Sequence, residues 1–253
     1  MKFITLFLIF CSYSLFAENF APQTDLYVNL DISYTRVYLK PQGTSHLKGN
    51  MVGMEGNFEY MPLRCFYGAL GGSWRYGSPH GMDDSKRNLF DGEIYQRLGY
   101  TFTFFQNQFL LTPYSGFGYR HLMHKIRTTP AVRFYYNYFY IPLGLQGRYY
   151  FPYVTLGFFV VWMPQIFPTL TVDAMKDARW ITDVRYKNVR LGLPIALRLE
   201  SVKNLSVFLK PSFELWQDGQ SRASTSSSTP TPLPLPQNTY VFWEVALGVE
   251  YTF

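Results

Sequence analysis

The chain has 253 residues, with 23 Lys and Arg against 17 Asp and Glu, a formal net charge of +6. Charged residues are scarce at 16% and aromatics abundant at 19%. The basic residues are scattered rather than clustered with stacking aromatics, so no nucleic-acid partner is expected.

Met1, Lys2 and the apolar residues 3–10, followed by small residues up to Ala17, read as a secretory signal peptide over 1–17, leaving 18–253 as the mature domain. Cys11 falls inside that leader, and Phe10 before it is too large for a lipid-acceptor signal. Cleavage leaves Cys65 alone, which excludes an internal disulfide framework. An intermolecular disulfide through Cys65 stays open beside the plainer reading of an idle thiol. No later stretch offers the roughly 20 consecutive apolar residues of a membrane helix. The nearest, 154–162, is too short and is bounded by Pro152 and Pro164.

The mature chain instead alternates with period two. Ten segments are expected to be strands, over 25–38, 50–61, 66–76, 92–104, 108–121, 134–148, 153–162, 185–199, 205–216 and 240–253. In the fourth, Ile94, Leu98, Tyr100, Phe102 and Phe104 oppose Glu93, Arg97, Gly99, Thr101 and Thr103. The seventh alternates poorly, because Phe159 and Val161 fall on the polar parity. The eighth is the clearest, with Val189, Leu191, Leu193, Ile195, Leu197 and Leu199 opposite Arg190, Gly192, Pro194, Ala196, Arg198 and Glu200. Pro113, Pro142, Pro194 and Pro211 lie inside proposed strands and mark bulges or breaks, since each removes a ladder donor.

Links at 61–65, 105–107, 149–152 and 200–204 are short, and those near 39–49, 77–91, 122–133, 163–184 and 217–239 are long. Short turns on one side and long loops on the other, with one apolar face per strand, describe an all-β, closed antiparallel transmembrane barrel. Ten strands are expected, with eight or twelve as alternatives. The barrel must close, because an unpaired backbone group in hydrocarbon costs several kcal/mol. Its inward parity carries Asp31, Glu55, Glu59, Arg75, Glu93, Arg97, Arg120, Arg148, Arg190, Arg198, Lys210, Glu214, Glu244 and Glu250. In so narrow a lumen these charges are expected to pair across the interior and leave at most a thin water path.

The last segment, with Val245, Leu247, Val249 and Tyr251 alternating up to Phe253, resembles the C-terminal signal of small Gram-negative outer-membrane β-barrel proteins. The resemblance spans the mature chain as a pattern. It implies outer-membrane lipid and the barrel-assembly machinery as partners, with Val249, Tyr251 and Phe253 as the assembly signal. It implies bacterial outer-membrane localisation after export. Barrels of this size include omptin-type proteases, which use paired aspartates facing an Asp-His couple; His80, Asp83 and Asp84 suit one half, but no histidine follows His124 to supply the other.

Other chemistry is weaker still. His121 and His124 could meet on a helical turn but not on a strand, and no third metal ligand stands near. Ser115 and His121 are not tied by any spacing that a nucleophilic triad demands. The glycines Gly68, Gly71, Gly72, Gly116, Gly118, Gly144 and Gly147 precede no helix, so they suit a crowded curved wall rather than a phosphate cradle. No catalytic residue, metal or cofactor is expected. The leading expectation is a non-enzymatic surface protein with a narrow or closed lumen, serving envelope structure or host contact through its loops. A narrow porin-like channel for a small solute and an outer-membrane hydrolase are the alternatives.

Overall fold

Alternating side chains make two-faced strands, and in the computed structural model those strands build one wall. Residues 26–41, 46–81, 87–126, 132–173, 175–199, 201–202, 204–224 and 237–253 are described. The expected signal peptide, Asp83, Asp84 and the Ser-, Thr- and Pro-rich residues 225–236 lie outside the described residues.

Ten strands follow in order. They are β1 (Leu26–Pro41), β2 (Leu47–Tyr60), β3 (Phe66–Gly77, continued by His80–Gly81), β4 (Arg87–Tyr100 and Phe102–Phe104) and β5 (Phe109–Ile126). Next come β6 (Val132–Tyr140 and Leu143–Tyr150) and β7 (Val154–Trp162 and Gln165–Val172). The last are β8 (Met175–Thr182, Val189–Gly192 and Ile195–Arg198), β9 (Leu205–Asp218 and Ser221–Ser224) and β10 (Asn238–Thr252). Each pairs antiparallel with its neighbours in sequence. The ring shuts where β1 meets β10, in register from Tyr27↔Thr252 to Pro41↔Asn238. The count is the expected ten, and no helix occurs among the described residues.

The strand ends differ from expectation by more than two residues on one side only. β7 runs on to Val172 and β8 begins at Met175, so most of the expected link 163–184 is strand. β5 likewise extends to Ile126 and is 18 residues long, where about 9 to 11 suffice to cross a bilayer. The wall therefore rises well beyond the membrane. These extensions lack a clean apolar outward face, which is why alternation alone stops short of them; their inward residues, such as Leu122, Leu170 and Trp180, are fully buried.

Proline explains several interruptions. Pro142 and Pro194 occupy the two-residue breaks in β6 and β8, and the carbonyl of Pro194 accepts from Gly157 N–H at 2.7 Å. Pro113 and Pro211 stay inside continuous strands. Leu193 N–H donates to the Pro211 carbonyl at 3.0 Å, so the missing donor is lost without losing the acceptor. On β7, Phe167 holds φ 48° within a register shift between Ile166 and Thr169. Phe159 and Val161 do face inward, packing into the core rather than breaking the pattern.

The outward face is a continuous apolar band. Ile32, Leu70, Phe117, Leu193 and Leu247 all stand exposed on it. Aromatics mark its two margins, with Phe66, Tyr100, Phe102 and Tyr251 at the end bearing the short turns and Tyr34, Trp74, Phe139 and Trp243 at the other. A band encircling the molecule exceeds by far the few hundred Å² of apolar surface that water tolerates in one patch, and its girdled form is that of a lipid-facing wall. The core is the lumen.

Candidate functional site

Inward parity brings thirteen of the fourteen expected charged residues into the barrel. Five cations, Arg75, Arg120, Arg148, Arg190 and Lys210, are tied to eight carboxylates. The largest group centres on Arg120, which is 0% exposed. Its Nε donates to Asp91 Oδ1 at 2.8 Å and its Nη2 to Asp91 Oδ2 at 2.7 Å, the bidentate geometry that makes Arg–carboxylate pairs strong. Its Nη1 pairs with Glu214. Arg75 Nη2 joins the same Asp91 at 2.6 Å, and its Nη1 reaches Glu244 at 3.3 Å. Arg190 bridges Glu214 at 2.9 Å and Glu93 at 2.5 Å.

Two smaller groups lie nearer the short turns. Lys210 Nζ holds Asp31 at 2.6 Å and Glu55 at 2.8 Å, while Tyr95 O–H donates to Glu55 at 2.8 Å. Arg148 pairs with Glu59 and, at 3.0 Å, with Glu250. Arg97 has no ion-pair partner among the described residues. Its guanidinium lies 4.0 Å from the Tyr95 ring centre and 5.1 Å from that of Tyr114. Arg198 keeps inward parity but is exposed at the end of β8, outside the network.

Glycines on neighbouring strands make room for inward rings. A Cβ on Gly118 would sit 2.1 Å from the Tyr140 ring, and one on Gly144 2.3 Å from Tyr114. The crowded-wall reading therefore holds for Gly71, Gly116, Gly118, Gly144 and Gly147, but not for Gly68, where an added Cβ would find nothing nearer than 3.9 Å.

Both ends are shut. Toward the short turns, Tyr27 and Tyr150 share a hydrogen bond at 3.3 Å, Thr101 and Thr112 another at 3.1 Å, and Met61 and Leu110 are buried beside them. Toward the long extensions, Trp216, Trp180, Tyr138, Tyr240, Phe242 and Leu122 are all fully buried. Arg120 lies 4.2 Å from the Trp216 ring centre, so roof and ion network touch. Within the roof, Tyr240 O–H donates to Asp218 at 2.7 Å and lies 2.8 Å from His124 Nε2, and Tyr138 O–H also donates to Asp218. Between floor and roof, beside the ion pairs, remains a cavity of about 140 Å³. It has room for on the order of ten waters.

The chemical candidates do not assemble. His124 points into the roof, whereas His121 faces outward, with Nδ1 2.8 Å from Asn137 Oδ1 and its ring stacked on Tyr135. Ser115 shares that outward parity but lies six residues along β5 from His121, roughly 20 Å away on a strand, so the two do not meet as nucleophile and base. His80 is exposed at the end of β3. No group of three metal-ligating side chains occurs among the described residues. Asp91 was not among the expected inward charges, although it sits two residues before Glu93 on the same parity. The roof set of His124, Asp218 and Tyr240 was likewise missed, because it lies in strand extensions that read as loop.

No known family matches the chain and no curated protein does. Solved structures do. The chain is similar to the outer membrane protease OmpT from Escherichia coli, with TM-score 0.61 and 11% identity over 94% of this chain and 99% of that one. It is also similar to the translocator domain of the autotransporter NalP from Neisseria meningitidis, with TM-score 0.50 and 11% identity over 100% of this chain and 95% of that one. The fold is that of a small outer-membrane β-barrel. At such identity the likeness concerns architecture alone.

Proposed function

We propose that this outer-membrane barrel is a non-enzymatic surface protein with a shut lumen, one that contributes to envelope structure and meets its surroundings through its outer end. The observation that carries the reading is the crowded interior, in which a packed floor, an ion network and an aromatic roof are stacked along the lumen. Burying so many charges is expensive unless they are paired, and here all but Arg97 are paired, in the arrangement of a strut rather than of a pore lining. The dispersal of His80, Ser115, His121 and His124 supports the non-enzymatic part of the proposal. The assembly machinery as partner and export to the outer membrane belong to the same reading, as does contact with a host surface.

A second reading, a small-solute channel, is favoured by one observation, the polar cavity beside Arg97, Arg190 and Lys210. It requires both the roof and the floor to move. Planar-bilayer recording of the refolded protein separates the two. The closed-barrel proposal expects a silent wild type, with conductance appearing when roof and floor are cut together by Trp216→Ala, Tyr138→Ala, Tyr27→Ala and Tyr150→Ala. Defined wild-type steps whose ion preference changes in Arg190→Glu would replace it with the channel.

A further inference from the structure

The lipid-facing wall contains one anomaly. Gln96 lies on the outward parity of β4 between Ile94 and Leu98, in register with Leu70 of β3 and Phe117 of β5. All four neighbours are strongly exposed apolar side chains. Phe66, Tyr100 and Phe102 lie on one side of it along these strands and Trp74, Tyr76 and Phe90 on the other, which sets Gln96 near mid-depth between the aromatic margins. Apart from Ser115, the other outward side chains at this depth are apolar, as at Ile32, Met54, Leu145, Leu193 and Leu247. Gln96 is exposed and its amide makes no side-chain hydrogen bond among the described residues. Hydrocarbon offers it neither donor nor acceptor, so the group is stranded unless a partner supplies both.

The neighbouring glycines add an independent observation. Gly56 of β2 and Gly68 of β3 also face outward. A Cβ on either would come no closer than 3.9 Å to any atom of the barrel. Elsewhere the wall demands its glycines, since a Cβ on Gly77, Gly99 or Gly116 would lie 2.2, 2.3 or 1.9 Å from a carbonyl oxygen of the adjacent strand. Gly56 and Gly68 thus carry the entropic cost of glycine in a strand without an internal reason. Bare backbone on a lipid face lets another surface approach closely, and small residues with a polar group among them are what hold proteins together within membranes.

We propose that β2 to β4 form the interface of a two-fold dimer in the membrane plane, with the Gln96 amides of the two copies hydrogen-bonded to each other. A primary amide carries both donors and an acceptor, so it satisfies an identical group across a two-fold axis. The lipid tails supply nothing of the kind, and headgroups lie beyond the aromatic margins. The Ser115 hydroxyl, one strand over and diagonal to Gln96, stands on the same face.

The test uses full-length mature protein labelled at the exposed Cys65, which also blocks any disulfide route to a dimer. Donor- and acceptor-labelled barrels are mixed in phosphatidylcholine vesicles and energy transfer is followed as the protein-to-lipid ratio falls. Wild type is expected to show transfer above that of randomly placed monomers. Gln96→Leu and Gly68→Trp are each expected to weaken association at least fivefold. Both change only a lipid-facing side chain, and their retained heat-modifiable gel migration certifies the fold separately. Transfer no greater than random in wild type, or unchanged transfer in either variant, overturns the proposal.

Discussion

Asp91 shows what one residue does in this barrel. Its two oxygens take four hydrogen bonds from Arg75 and Arg120, and both guanidiniums are buried. Removing one member of such a set strands the others, which typically costs about 3–5 kcal/mol. Asp91→Ala is therefore expected to lower the urea midpoint of unfolding by that equivalent. Adding Arg120→Met should return part of the loss, because the second change removes one of the stranded charges. Parity of charge was legible residue by residue in the sequence, and Glu93, Arg120, Arg190 and Glu214 meet as their alternation implied. Asp91 escaped because it lies one residue before the expected start of β4 at 92, where the adjacent Leu89 and Phe90 interrupt the alternation. The pairing of Arg97 with rings rather than carboxylates was not legible either, since alternation gives the face but not the height at which side chains meet across the lumen.

Each strand is a decision about which side meets lipid. In β8, Leu193 faces out beside Pro194 facing in, and one step of register would exchange them. Leu193→Arg places a charge in the hydrocarbon and should cost about 2–4 kcal/mol near the midplane, measured by reversible unfolding in vesicles. The same substitution on inward Ala196, beside the cavity, should cost less. In β10, Val249, Tyr251 and Phe253 project outward, and the rings of Tyr251 and Phe253 lie 4.8 Å apart. If they form the assembly signal, deleting Phe253 should sharply reduce the folded barrel recovered from membranes while leaving refolding in detergent nearly intact. Strand identity was readable wherever one face was apolar, as in β4, β8 and β10. It was not readable in the extensions, where both faces are mixed. The last part of β7 and the first part of β8 form a hairpin whose inward Leu170, Val172 and Trp180 build the roof, and in sequence this was indistinguishable from a long loop.

At the scale of the molecule, closure and filling are separate achievements. Closure follows from the backbone: ten amphipathic strands in hydrocarbon leave no affordable edge, so β1 must find β10. Filling follows from side chains, whose paired charges, stacked rings and ring-accommodating glycines occupy the space a ring of this size encloses. The first was foreseeable from alternation and strand number. The second was foreseeable only as a list of inward charges, because which cation meets which carboxylate depends on strand tilt and stagger that no single segment reveals. Both rest on a closed, lipid-solvated cylinder. Gel migration of detergent-extracted membranes, with and without boiling, tests it directly. A compact, fast-migrating band before boiling that shifts to the mobility of the unfolded chain afterwards is the expected result. Identical mobility in both lanes, with the mature protein recovered as a soluble monomer without detergent, would contradict it.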